Sequence, residues 1–184
     1  MKASIMRPGD AISMGNVVQL VMDCSPMSQV DREETARDLA AFIREERNLF
    51  VIVKNKEEKI IGFCGLTPHD WVLEDLLPHD PLLKRDPGRY YLEMMGIAEE
   101  YRKSAAFLHL TLVSVESSLA LGIHQFSSHS LMSNGINTTV KKLFPHCVGH
   151  RVIPNWLGSG EAYEYLEFTA HEKDIARMRR ILRR

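Results

Sequence analysis

The chain predicts an α/β (α+β) fold in which a sheet is flanked by helices. Three observations carry that prediction: two amphipathic segments at the start, a β-hairpin pattern from Leu49 to Leu66, and an apolar strand, Tyr90–Ile97, that feeds a long helical pattern. With 184 residues, 45% of them hydrophobic and 26% charged, the chain reads as one globular domain spanning 1–184 that buries a core without staples.

The elements follow in order. Asp10–Asp23 sets Ile12, Val17, Val18, Leu20 and Val21 at helical spacing and ends before Ser25-Pro26, where proline favours extended backbone. A second helix runs from Ser28 to about Arg47, with Asp31, Glu33 and Glu34 in its early turns and Leu39, Phe42 and Ile43 as an inward stripe. Leu49–Val53 and Ile60–Leu66 are apolar runs joined by the polar turn Lys54–Lys59, which reads as a hairpin.

Thr67–Gly88 holds Pro68, Pro78, Pro81 and Pro87 and reads as a long functional loop with one short helix near Trp71–Leu77. It contains Pro-His-Asp twice, at 68–70 and 78–80, a pair that could bind or deprotonate a second substrate, a weaker case than that for a carboxylate in the next strand. After strand Tyr90–Ile97, Glu99-Glu100 opens a helix carrying Leu108, Leu110, Leu112, Val115 and Leu119 to a stop at Gly122. Ile123–Leu131 is a further strand, Asn137–Phe144 a short helix, and Tyr163–Thr169 a last strand with period-two alternation.

Composition excludes several classes. Lys plus Arg number 23 against 24 Asp plus Glu, so no general field draws in nucleic acid or an anionic membrane. Cys24, Cys64 and Cys147 are odd in number and form no CxxC pair, which argues against a disulfide framework or thiolate metal site and suits a reducing cytosol. No run is long enough to span a bilayer, and Met1–Arg7 lacks the apolar stretch of a signal peptide, so a cytoplasmic location is expected. Eight histidines include no HExxH spacing; no metal is expected, and His69, His79, His146 and His150 read as loop residues. Cys64 reads as a buried structural thiol, and the arginine-rich end around Ile175, Met178, Ile181 and Leu182 as a solvated terminal helix.

Glu93 stands inside the apolar strand Tyr90–Ile97, where a carboxylate is costly unless it is paired or faces a cleft. Partial desolvation there would raise its pKa and suit it to take a proton from an amine; the alternative is an edge or salt-bridged residue near the start of the strand.

Two segments go further. Ile97-Ala98-Glu99-Glu100-Tyr101-Arg102-Lys103-Ser104-Ala105-Ala106-Phe107 joins a strand to a helix, and Asn137-Thr138-Thr139-Val140-Lys141-Lys142-Leu143-Phe144 precedes the final strands. In these, and in its order of elements, the chain resembles the GNAT (N-acetyltransferase-like) superfamily from about Leu49 to Phe168. The resemblance implies a mixed, mostly antiparallel twisted sheet and an acyltransferase that moves an acyl group, acetyl or longer, from a CoA thioester to an amine.

In that family an Arg or Gln followed by x-x-Gly-x-Gly/Ala exposes backbone N–H groups to the CoA pyrophosphate, helped by the helix N-terminus. Arg102 takes the Arg/Gln position, so Lys103, Ser104, Ala105, Ala106 and Phe107 would line the phosphate site. The two glycine positions carry Ala105 and Phe107, and the phenyl group is expected to obstruct the anion or redirect the helix. By the same resemblance the backbone of Met95 and Ile97 pairs with pantetheine as an added strand, Asn137 meets the pantetheine arm, and Phe144 stands where a tyrosine often protonates the departing thiolate. Glu93 is the expected base.

The implied donor is acetyl-CoA or another acyl-CoA, without metal. The implied partner is a small-molecule amine acceptor or, alternatively, an acyl carrier protein serving an N-acyl synthase; a homodimer is compatible with the family. Ala105, Phe107 and Phe144 together also fit a non-catalytic binding module with the same fold.

Overall fold

The computed structural model describes residues 1–8, 10, 14–24, 31–133 and 135–183, the side chain of His150 excepted. The expected helix starts at Asp10 and Ser28 reach into 11–13 and 28–30, which lie outside the described residues; the helices described are α1 (Met14–Cys24) and α2 (Arg32–Arg44). Asp31 starts α2 by accepting the Glu34 N–H at 2.8 Å, and Leu39, Phe42 and Ile43 are its buried face.

Strand β1 (Lys2–Ile5) precedes them and pairs with β2 (Leu49–Lys54), which forms the expected hairpin with β3 (Ile60–Pro68). Asn55 ties the hairpin turn by accepting the N–H groups of Glu57 and Lys59, both at 3.0 Å. Along β2, Leu49, Val51 and Val53 face one cluster and Phe50 and Ile52 another, so period two produces a continuous apolar run in a strand covered on both faces.

The proline-rich stretch holds α3 (His69–Leu76), near its expected place. His69 is not a loop residue: it begins α3 and is buried against Tyr91. Next come β4 (Arg89–Ile97) and a 3-10 turn over Glu99–Tyr101. The helix expected from Glu99 starts seven residues later, as α4 (Ala106–Ala120). Ser104 is the cause, since its Oγ donates to the Tyr101 carbonyl at 2.6 Å and accepts the Ala106 N–H at 3.1 Å, ending one turn and opening the helix.

β5 (Gln125–Leu131), α5 (Ile136–Leu143), β6 (Val148–Ile153), a 3-10 turn over Trp156–Gly158, β7 (Tyr163–Thr169) and α6 (Glu172–Leu182) complete the described chain. The seven strands form one sheet in the order β1-β2-β3-β4-β5-β7-β6, antiparallel except where α4 carries the chain over from β4 to a parallel β5. The basic end is not wholly solvated: α6 buries Asp174, Ile175 and Met178, and Arg179 bridges to Glu116 of α4 at 2.8 Å. Cys64 is buried and its thiol is pushed up to about 12 by desolvation, as a structural cysteine requires. Among the described residues no helix is long and apolar enough to cross a membrane.

Candidate active site

β4 and β5 pair only over Arg89–Tyr91 and Gln125–Ser127. Beyond Tyr91 they part, and a cleft of about 340 Å³ opens between them. A bulge lies at the point of parting: Leu66 of β3 opposes Leu92 and Gly65 opposes Met94, so Glu93 is the extra residue of β4. The bulge turns Glu93 to the face already taken by Tyr91 and Met94, while Leu92, Met95 and Ile97 pack toward α4.

Glu93 therefore lines the cleft and remains exposed there. Among the described residues no cation pairs with it, so it is not salt-bridged, while its exposure where β4 has left β5 agrees with the edge reading. Its pKa is raised, first because surrounding protein displaces water and second because the Asp75 carboxylate of α3 adds a like charge. A carboxylate so placed is shifted toward the range in which a general base works at neutral pH.

The wall opposite is a buried polar chain. Asp80, 2% exposed, is held by two hydrogen bonds from Arg151, one of them 2.8 Å from Nε to Oδ1, and by His129 Nε2 at 3.0 Å. Burial alone would raise the Asp80 pKa, but Arg151 and then His129 hold it below the usual carboxylate range. An ionised Asp80 only accepts, so His129 donates from Nε2 and its Nδ1 accepts the Tyr91 hydroxyl at 3.0 Å. Desolvation, outweighing Asp80, lowers the His129 pKa to about 4 and keeps the ring neutral. Trp156 stacks on that ring at 3.7 Å between centroids, and Arg151 lies 4.4 Å over the ring of Tyr165. Trp156 is carried between two residues of left-handed backbone, Asn155 (φ 56) and Leu157 (φ 51), and Leu157 joins it in the cleft wall.

The donor side is built on the open edge of β4. Ala98 N–H bonds to the Ile61 carbonyl at 2.9 Å, so by alternation Gly96 also points its main chain at β3, while Met95 and Ile97 turn their N–H and C=O away, toward the opening. Ile97 is engaged there by neighbours: its carbonyl accepts from Arg102 Nε at 3.4 Å and its main chain hydrogen-bonds the Cys24 thiol. Burial raises the Cys24 pKa, with Arg102 pulling the other way. α1 reaches β4 because residue 96 is glycine; a Cβ there would lie 2.6 Å from that of Cys24.

At the start of α4, Arg102 and Lys103 are exposed. Of the N–H groups expected to line a phosphate site, those of Ser104 and Ala106 are already bonded within the turn, whereas Phe107, in the first turn of α4, has no intrahelical acceptor. The Phe107 ring packs inward beside Leu92 and Phe144, at a small apolar cavity under the sheet. Asn137 is buried, its Nδ2 donating to Glu164 at 2.9 Å and its Oδ1 accepting the Thr138 N–H at 2.8 Å. Phe144 is 1% exposed and stacks on Phe168 at 4.5 Å.

The structure thus brings Glu93, Met95 and Ile97 to one opening, with Arg102–Phe107 at its end, and places Asn137 against β7. Sequence reasoning missed Tyr91, His129, Arg151 and Trp156. For His129 the signal was available, since a histidine within Phe126–Leu131 invites the same question as Glu93 within β4. Among the described residues no three His, Cys, Asp or Glu side chains are grouped so as to hold a metal ion.

A seven-stranded sheet opened between parallel β4 and β5, with a helix starting at the end of the opening, defines a GNAT fold, one that supports acyl transfer from CoA to an amine. Sequence comparison agrees: the acetyltransferase (GNAT) family matches residues 15–105. Among solved structures, aminoglycoside 6'-acetyltransferase type Ii is similar at a TM-score of 0.65 and 14% identity, with 92% of this chain and 97% of that one covered. An aminoglycoside 6'-N-acetyltransferase complexed with coenzyme A gives 0.64 and 12%, covering 92% and 97%. The ribosomal-protein-S18-alanine N-acetyltransferase from Escherichia coli gives 0.64 and 10%, covering 93% and 96%. No curated protein matches the chain in sequence. In fold, and in sequence over 15–105, the chain is similar to the GNAT acetyltransferases.

Proposed function

We propose that the chain is an N-acyltransferase in which Glu93 is the base and the open edge of β4 receives an acyl-CoA. The observation that carries this reading is the bulge: it presents an unpaired carboxylate at the point where β4 leaves β5. The main-chain groups of Met95 and Ile97 would pair with pantetheine as a strand pairs with a sheet edge, displacing the contacts that Ile97 makes with Arg102 and Cys24. Arg102 and Lys103, with the free N–H groups of the first turn of α4, would hold the pyrophosphate.

The acceptor amine attacks the thioester carbon directly. The C–N bond forms, the C–S bond breaks, and the proton lost by nitrogen passes to Glu93. A main-chain N–H on the open edge of β4 would stabilise the carbonyl oxygen as it gains charge. The thiolate takes its proton from water, because Phe144 has no hydroxyl and is enclosed in the core. The donor site is tested by isothermal titration of coenzyme A. Arg102→Glu, which sets a negative charge beside the phosphates, is expected to weaken binding by about tenfold or more. Unchanged affinity would remove the donor from this end of the cleft.

A further inference from the structure

The small cavity under the sheet, of about 40 Å³, adjoins the cleft. The two spaces share Leu92, Met95 and Ile136 as lining residues, so these side chains form a common boundary. All three are half-buried, as is Phe107, whereas the walls further in are closed: Cys64, Leu66, Val115 and Phe126 are at most 3% exposed. Phe126 stacks on Phe168 at 5.2 Å and Phe168 on Phe144 at 4.5 Å, a row of rings that makes one wall rigid. No described lining residue is charged. Thr111 commits its hydroxyl to the Phe107 carbonyl at 2.8 Å, which leaves Ser114 and Cys64 as the other polar side chains of the lining. A water needs several polar partners, so this space suits it poorly, while the apolar walls lack the contacts that a close-packed core would give them.

We propose, resting on the reading of the open β4 edge as the donor site, that this cavity receives the alkyl chain of the donor and selects a short acyl group longer than acetyl, propionyl or butyryl. With the pantetheine arm along Met95 and Ile97 and the thioester carbon beside Glu93, the chain leaves the carbonyl next to Leu92 and Met95, the residues of β4 that border both spaces. Outward it would meet water. Inward, past Ile136, it enters a space that only an apolar group fills well. The volume sets the length: at roughly 10–15 Å³ of free space per water-sized group, about 40 Å³ takes about three such groups, the propyl chain of butyryl. An acetyl methyl would stop at the boundary and leave the space unfilled. An octanoyl chain would run into the rigid row of phenyl rings.

The test is equilibrium binding of coenzyme A, acetyl-CoA, butyryl-CoA and octanoyl-CoA to the full chain. Burying a methylene strengthens binding by about three- to fourfold, so butyryl-CoA is expected to bind about tenfold more tightly than acetyl-CoA. Octanoyl-CoA is expected to bind no more tightly than butyryl-CoA. Thr111→Leu, which fills the cavity from α4, is expected to remove most of the butyryl preference and leave coenzyme A affinity unchanged. Ser114→Val, a smaller change on the same helix, carries the comparison if the first variant does not fold. Equal binding of acetyl-CoA and butyryl-CoA, a gain that continues to octanoyl-CoA, or a preference that survives in a folded, filled variant would overturn the inference. Failure of the underlying reading looks different: coenzyme A itself and all three thioesters would fail to bind, and the inference would fall with it.

Discussion

Two carboxylates flank one cleft and have opposite fates. Asp80 is 2% exposed, yet Arg151 and His129 hold its pKa down. Glu93 is exposed, yet its pKa is raised. Depth of burial does not explain the difference; partners do. Asp80 has a guanidinium, an imidazole N–H and the Leu82 N–H, so its charge is part of the fold. Glu93 has protein around it that displaces water, a like charge nearby and no cation, which leaves its proton affinity available for chemistry.

The contrast breaks most visibly at Asp80. Asp80→Ala leaves Arg151 and His129 facing a gap and is expected to cost about 3–5 kcal/mol, read by urea denaturation. A loss under 1 kcal/mol would show that the network is dispensable.

The next effect is a pH dependence from His129. Its pKa falls from 6.5 in the unfolded chain to about 4 in the folded one, so between these values the unfolded state binds a proton that the folded state refuses. Stability is complete above pH 6.5 and is lost as pH falls toward 4, by about 3 kcal/mol in all. His69 and His109, also lowered by burial, act in the same direction. Denaturation midpoints at pH 7 and 4.5 check this, and a flat profile contradicts it.

A smaller effect separates packing from ligand binding at the α4 start. Phe107→Ala is expected to lower stability by about 2 kcal/mol, since the half-buried ring packs against the core, with coenzyme A affinity little changed. Tighter coenzyme A binding in the variant would return Phe107 to the role of an obstruction in the phosphate loop.

The fold was legible where alternation or a continuous apolar run was long enough to act alone, as in β2, β3, β4 and β7. β1 was not, because four residues, of which only Ala3 and Ile5 pack against the core, are too few to show a period. Nor was β6, where a register shift between Gly149 and Arg151 interrupts the period. Glu93 was legible as a polar residue in an apolar strand, though the bulge that aims it depends on its register with β3. The opposite wall was hidden for a simpler reason: Asp80 lies 49 residues from His129 and 71 from Arg151, so only the assembled sheet brings them together. Of the second Pro-His-Asp, the aspartate joins the hydrogen-bond network and the histidine packs edge-on to Trp156.

The central claim, that Glu93 is the base, is tested most directly by the turnover of Glu93→Gln with acetyl-CoA and an amine that the parent protein acetylates. The substitution should preserve the fold and coenzyme A affinity while lowering turnover by roughly 10²-fold or more. In the parent, kcat/KM should rise with pH through a value above the ordinary glutamate range, and that step should vanish in the variant. A Glu93→Gln protein that works at full rate, with the same pH profile, would contradict the account.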